Sequence, residues 1–140
     1  MTQENQINVV YLAGPINGKT DAECNGWRSE AARKLTAAGL KVLDPMARDY
    51  RGQEEDNVEE IVRGDLDDIE SCDVVLVNAC TPSWGTAMEL VYATGFGKQI
   101  VAFSDAPRIS PWLRHHTHAI FSSLGEAVAG VVSGSATGMR

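Results

Sequence analysis

The sequence is short of aromatic rings, of cysteine, of positive charge and of long apolar runs. Trp, Tyr and Phe make up only 6% of 140 residues, so each ring can be asked separately what it does. No apolar stretch approaches the roughly 20 residues of a membrane helix, which excludes that kind of span. The three cysteines, Cys24, Cys72 and Cys80, are odd in number and lack metal-ligand spacing. A disulfide framework is excluded, and reduced thiols in a cytoplasmic protein are the simplest expectation. Lys and Arg number 12 against 19 Asp and Glu, giving a net charge of −7. That balance argues against nucleic acid as a partner. It leaves room for a small anion, because backbone amides at a helix start hold phosphate without side-chain charge. The opening MTQENQIN is polar and has no signal-peptide pattern.

Apolar residues make up 44% of the chain, enough for one domain with a true core, expected over 1–132, followed by a small polar tail, 133–140, expected to be disordered. Strand signals at Ile7–Leu12, Leu40–Leu43, Val74–Val77, Gln99–Phe103 and Ala119–Phe121 alternate with helical ones. The first helix has Trp27, Ala31, Leu35 and Ala38 on one face, Thr20 or Asp21 as cap and Gly39 at its end. A second spans Val58–Glu70 with Ile61, Val62, Leu66 and Ile69 inward, and a last one follows Ser122 or Ser123. Pro111–His118 reads as irregular or a helical turn. Alternation of this kind predicts a three-layer, doubly wound, mostly parallel five-stranded sheet of flavodoxin or Rossmann type, in strand order 2-1-3-4-5. The polar connection from Asp44 to Asp56 is long for such a domain and is a candidate binding loop.

The chain is organised around Cys72 to Leu90. Val74–Val77 is an unbroken apolar run, the mark of a strand covered on both faces. Thr81-Pro82-Ser83 breaks it and Gly85-Thr86 opens a helix, with Leu90, Val91 and Ala93 continuing its apolar positions. Glu89 lies one turn into that helix, just past the carboxyl end of a central strand, where open α/β sheets bind ligands. The positive helix end is expected to keep it ionised, as suits a nucleophile. Asp65 borders the apolar face of the preceding helix, and a second carboxyl beside Glu89 allows one to attack while the other protonates a leaving group. Ser83 and Gly85 are placed to hold an anion; a plain helix cap also explains Ser83. Ala13 followed by Gly18-Lys19-Thr20 fits a relaxed phosphate-loop pattern, but Pro15 removes an amide that such a cradle needs, so the first loop is read as lining a small-molecule site with Tyr11 pointing into it. His115, His116 and His118 suit a surface or interface better than a metal. Trp27, Trp84 and Trp112 suit core, rim and interface, and Trp84 is able to stack on a base.

Four segments in order carry a resemblance covering Val9 to about Ala129: Tyr11-Leu12-Ala13-Gly14-Pro15-Ile16, Asp65 through Asp73, Ser83-x-Gly85-x-x-x-Glu89, and Ser110-Pro111-Trp112-Leu113-Arg114. The chain resembles the nucleoside 2-deoxyribosyltransferase-like superfamily, which includes deoxyribosyltransferases, deoxynucleoside 5′-monophosphate N-glycosidases and CMP hydrolases. The resemblance implies that Glu89 attacks the anomeric carbon, Asp65 serves the leaving base, Tyr11 orients the nucleophile and Asp73 is structural. It also implies a homodimer in which Ser110 reaches phosphate across the interface. Related transferases carry an aspartate six residues before the nucleophile, for the free 5′-hydroxyl; the monophosphate hydrolases carry serine, and here the residue is Ser83. The expected substrate-binding set is Gly14, Ile16, Asn17, Lys19, Asp49, Ser83, Gly85 and Ser110, with no metal or organic cofactor. A base-exchanging transferase and a non-catalytic nucleotide-binding protein are the alternatives.

Overall fold

A computed structural model describes residues 6–134. Five parallel strands form one sheet: β1 (Val9–Ala13), β2 (Lys41–Leu43), β3 (Val74–Asn78), β4 (Gln99–Phe103) and β5 (Ala119–Phe121), in spatial order β2-β1-β3-β4-β5. The expected class and order therefore hold. The helices are α1 (Asp21–Ala37), α2 (Val58–Ser71), α3 (Trp84–Gly95), α4 (Pro111–His116) and α5 (Leu124–Ser133).

Alternation along the strands divides the core in two. Val10 and Leu12 of β1 join Leu76, Val101, Ala31, Leu35, Ala127, Val128 and Val131, so α1 and α5 cover one face. Tyr11 and Ala13 point the other way, to Val75, Val77, Ile69, Leu90, Ala93 and Ile100, where α2 and α3 pack. Each Val, Leu or Ile side chain among these contributes about 1.5–3 kcal/mol when fully buried. Trp27 packs edge-on to Phe103 with ring centroids 5.6 Å apart. Asp73 accepts from the amides of Asn8 and Val9 at 2.9 Å, locking β1 to the start of β3, which is the structural role expected of it.

Chain entry into each helix follows local chemistry. Thr20 caps α1 in a reciprocal capping box with Glu23, Ser83 caps α3 through Thr86 N–H, and Ser123 caps α5 through Glu126 N–H. Gly39 and Gly97, at φ 89° and 74°, turn the chain after α1 and α3 in a conformation that a side chain disfavours. Because β1 and β3 are neighbours whose following helices lie on opposite faces, a crevice opens between their carboxyl ends.

Some expectations need correction. Ala38 caps α1 and is exposed rather than inward. Val62 and Val91 are half-exposed; Val62 lines the crevice, whose apolar wall has the same spacing as a core face. Ser133 is the last helical residue of α5 and Gly134 its left-handed cap; the rest of the expected tail, 135–140, lies outside the described residues. No helix among the described residues is long and apolar enough to cross a membrane.

Candidate active site

The crevice is a cavity of about 420 Å³. One wall is the loop after β1, with Gly14, Ile16, Asn17 and Lys19; another is the polar segment after β2, with Met46, Arg48 and Asp49. Val58, Ile61, Val62 and Asp65 come from α2, and Ser83, Trp84, Gly85, Thr86 and Glu89 from the start of α3. The expected residues thus converge, with two exceptions. Tyr11 is fully buried beneath the cavity and acts through Glu89 rather than lining the site. Ser110 caps α4 and lines a second, larger groove on the far side of Trp84.

Glu89 reaches the cavity floor because a short turn, residues 79–83, carries the chain from β3 into α3, which places it about one and a half turns in. The Tyr11 hydroxyl donates to Glu89 Oε2 at 2.7 Å. Tyr11 comes from the strand, so this contact crosses from sheet to helix and fixes the carboxylate's rotamer. Burial, then the charge of Glu89, pushes the Tyr11 phenol well above its usual range, so it remains a donor. Glu89 and Asp65 are within hydrogen-bonding reach of each other. Burial, then the Asp65 charge, pushes Glu89 up to about 8, against the opposing Tyr11 hydrogen bond. Burial raises Asp65 too, while Glu89 and Arg48 draw it down. The expectation that the helix end alone keeps Glu89 ionised is therefore overturned: desolvation and a like charge outweigh a half-charge at the helix end. The two carboxyls therefore titrate as a pair.

Three further residues support the site. Arg48 donates through Nη2 to Asp65 at 3.2 Å and to Asp68 at 2.9 Å. Arg28 is 1% exposed; its guanidinium donates to the carbonyls of Cys24 at 2.9 Å and Gly14 at 3.0 Å, and Nε lies 3.4 Å from Asp44. It thereby pins the first loop, and Gly14 has no room for a side chain, since a Cβ there would meet Trp27 at 2.7 Å. Thr86 is buried and its hydroxyl has no hydrogen-bond partner, although it faces the cavity at the helix start. Its one sequence clue is its place a helical turn before Glu89.

Lys19 and Asn17 face the cavity from the first loop. Asp49 is held by Arg51, which also spans to Asp21 at 2.9 Å. Among the described residues no group of three or more His, Cys, Asp and Glu is arranged to hold a metal. His116 stacks on Trp112, whereas His118 accepts from the Ile100 amide at 3.1 Å, so the histidines face different ways. Trp84 and Trp112 are 85% and 77% exposed.

The arrangement offers a buried carboxyl nucleophile, a second carboxyl for a leaving group, and amides and hydroxyls at a helix start for an anion. Searching curated protein sequences finds no match. Solved structures match across nearly the whole chain. The CMP N-glycosidase BcmB of Clostridium botulinum is similar at 17% identity, covering 89% of this chain and 98% of that one, with a TM-score of 0.63. A 2-deoxyribosyltransferase of Bacillus psychrosaccharolyticus is similar at 22% identity, 84% and 88% coverage and a TM-score of 0.69. One from Leishmania mexicana gives 21% identity, 90% and 97% coverage and a TM-score of 0.65. At these identities the likeness carries the fold. The sequence model of the nucleoside 2-deoxyribosyltransferase family matches residues 10–130, and the chain belongs to that family.

Proposed function

We propose that the protein is an N-glycosidase that hydrolyses the base–sugar bond of a nucleoside 5′-monophosphate. The observation that carries this reading is Glu89, oriented by Tyr11 and paired with Asp65, beside a helix start that carries serine at position 83. With the proton that the two carboxyls share resting on Asp65, Glu89 is ionised, attacks C1′ of the sugar and forms a C1′–O bond. The C1′–N bond breaks, its electron pair stays with the base, and the proton of the carboxyl pair passes to the base from Asp65. Water then attacks C1′, Asp65 takes its proton, and Glu89 leaves as the carboxylate. Ser83, the Gly85 amide and Thr86 bind the 5′-phosphate, where an aspartate would repel it. Lys19 adds positive charge from the first loop.

The protein acts as a homodimer in this proposal, with Ser110 of one copy reaching the phosphate of the other. The exposed Trp84, Met88 and Val91 of α3, together with Trp112 of α4, support this. A deoxyribosyltransferase exchanging bases on free deoxynucleosides is the second reading, favoured by the family model itself.

Base release is followed by chromatography from nucleosides and their 5′-monophosphates, each with and without a second free base. Release from monophosphates alone, without exchange, is expected. Exchange on free nucleosides would replace the hydrolase with the transferase, and binding without release would leave a nucleotide-binding protein. Glu89→Ala is expected to abolish turnover while leaving nucleotide binding intact.

A further inference from the structure

Arg48 is held in one place by residues of α2. Its Nη2 forks between Asp65 and Asp68, at 3.2 and 2.9 Å. Its Nε lies against the bare backbone of Gly64, where an added Cβ would come within 2.7 Å of it. It lines the cavity beside Met46, Ile61 and Val62, while Nη1 makes no hydrogen bond among the described residues. A fixed guanidinium with a donor to spare thus stands next to the carboxyl that serves the leaving base. From this geometry we infer that Arg48 contacts the departing base and stabilises the negative charge that develops on it before it takes the proton of Asp65, which selects 2-oxopyrimidines over purines. The inference rests on the N-glycosidase reading above.

Leaving-group chemistry supplies the direction. When C1′–N1 of a pyrimidine nucleotide breaks, the electron pair enters the ring and much of the charge settles on O2, the carbonyl beside the broken bond. A guanidinium donor aimed at that oxygen is worth more as the charge develops than before, which is what accelerates a step. A purine has no carbonyl in that position. It departs most easily once protonated at N7, as a neutral base formed from a cation, and an adjacent guanidinium repels that cation. Asp65 supplies the proton in either case; Arg48 decides which base profits. The apolar wall of Met46, Ile61 and Val62 accommodates the ring face and leaves the polar edge to Arg48 and Asp65.

The test compares uridine 5′-monophosphate with its 5-fluoro and 5-bromo analogues and with the purine monophosphates, as ribo- or deoxyribonucleotides according to which the wild type cleaves. Wild-type kcat/KM is expected to favour the pyrimidines by tenfold or more. Arg48→Met is expected to lower kcat on the unsubstituted uracil nucleotide by about 100-fold, the scale of one lost transition-state donor. The loss shrinks for the more acidic 5-halouracils and is smallest for purines. Gly64→Ala, which displaces the guanidinium while favouring the helix, reproduces the pattern in milder form and controls for misfolding. An equal loss on every base, or a wild type that prefers purines, would overturn the inference alone. Base release from no nucleotide at all would remove the N-glycosidase reading, and this inference with it.

Discussion

Glu89 and Asp65 are close enough that ionising one opposes ionising the other, and Tyr11 and Arg48 bias the outcome from opposite sides. Because burial holds Glu89 up at about 8, its protonated form is favoured by folding. That stabilisation is fully present below the unfolded carboxyl value and is lost as pH rises through about 8. Glu89→Gln, which cannot ionise, should therefore match the wild type in thermal stability at pH 5 and exceed it at pH 8, by on the order of 1–3 kcal/mol. Melting curves across that range decide it. Activity follows the same proton: kcat/KM should fall above about pH 8, when the pair loses it. Tyr11→Phe removes a hydrogen bond that draws Glu89 down, so its pH profile should shift upward while kcat falls about 10- to 100-fold. Tyr11 and Glu89 were visible in the sequence because each interrupts a recognisable pattern, one a β-strand and the other a helix start. The link between Glu89 and Asp65 was not, since it depends on a distance between α2 and α3 that no spacing encodes.

Among the elements, the two segments that cover the cavity are held by different means. The first loop is tied down from inside, by the Arg28 guanidinium beneath Gly14. Arg28→Met should destabilise the protein by about 3 kcal/mol in urea unfolding, because Gly14 O, Cys24 O and Asp44 lose a buried partner together. The segment after β2 is tied from outside, by Arg51 to Asp49 and Asp21 on the surface. Exposed pairs contribute little stability. Arg51→Ala should therefore leave the melting temperature nearly unchanged and raise KM more than it lowers kcat, which steady-state kinetics would show. Strands and helices were legible because apolar periodicity is local: Val74–Val77 and the stripe of α1 need no tertiary information. The polar segment 44–57 has no period, so Arg48 and Arg51 were indistinguishable there from solvated charge. Val62 failed for the complementary reason, as a cavity wall and a core face write the same pattern.

On the scale of the whole molecule, the site is lopsided. Its sheet side is closed by β1 and β3, while Trp84, Met88, Val91 and Trp112 leave an apolar band open beyond the rim. Exposed rings in a chain with so few of them mark an interface better than they mark chance. Light scattering should give the mass of a dimer. Val91→Arg, on the outer face of α3 and off the cavity, should yield a folded monomer whose kcat/KM drops by tenfold or more, because Ser110 is then lost to the neighbouring site. A monomeric variant with full activity would remove Ser110 from the mechanism and leave the rest in place.

In the proposed function Ser83 performs two tasks with different parts of one hydroxyl. A lone pair accepts from Thr86 N–H and starts α3, while its own hydrogen remains available to the cavity. An aspartate can perform the first task equally well, since both residues are strong helix caps. For the fold, exchanging serine for aspartate at this position is close to neutral; for a phosphate in the cavity, it reverses the sign of the greeting. On the proposed reading, one substitution at this position would carry the protein between phosphorylated and free nucleosides without costing it the fold.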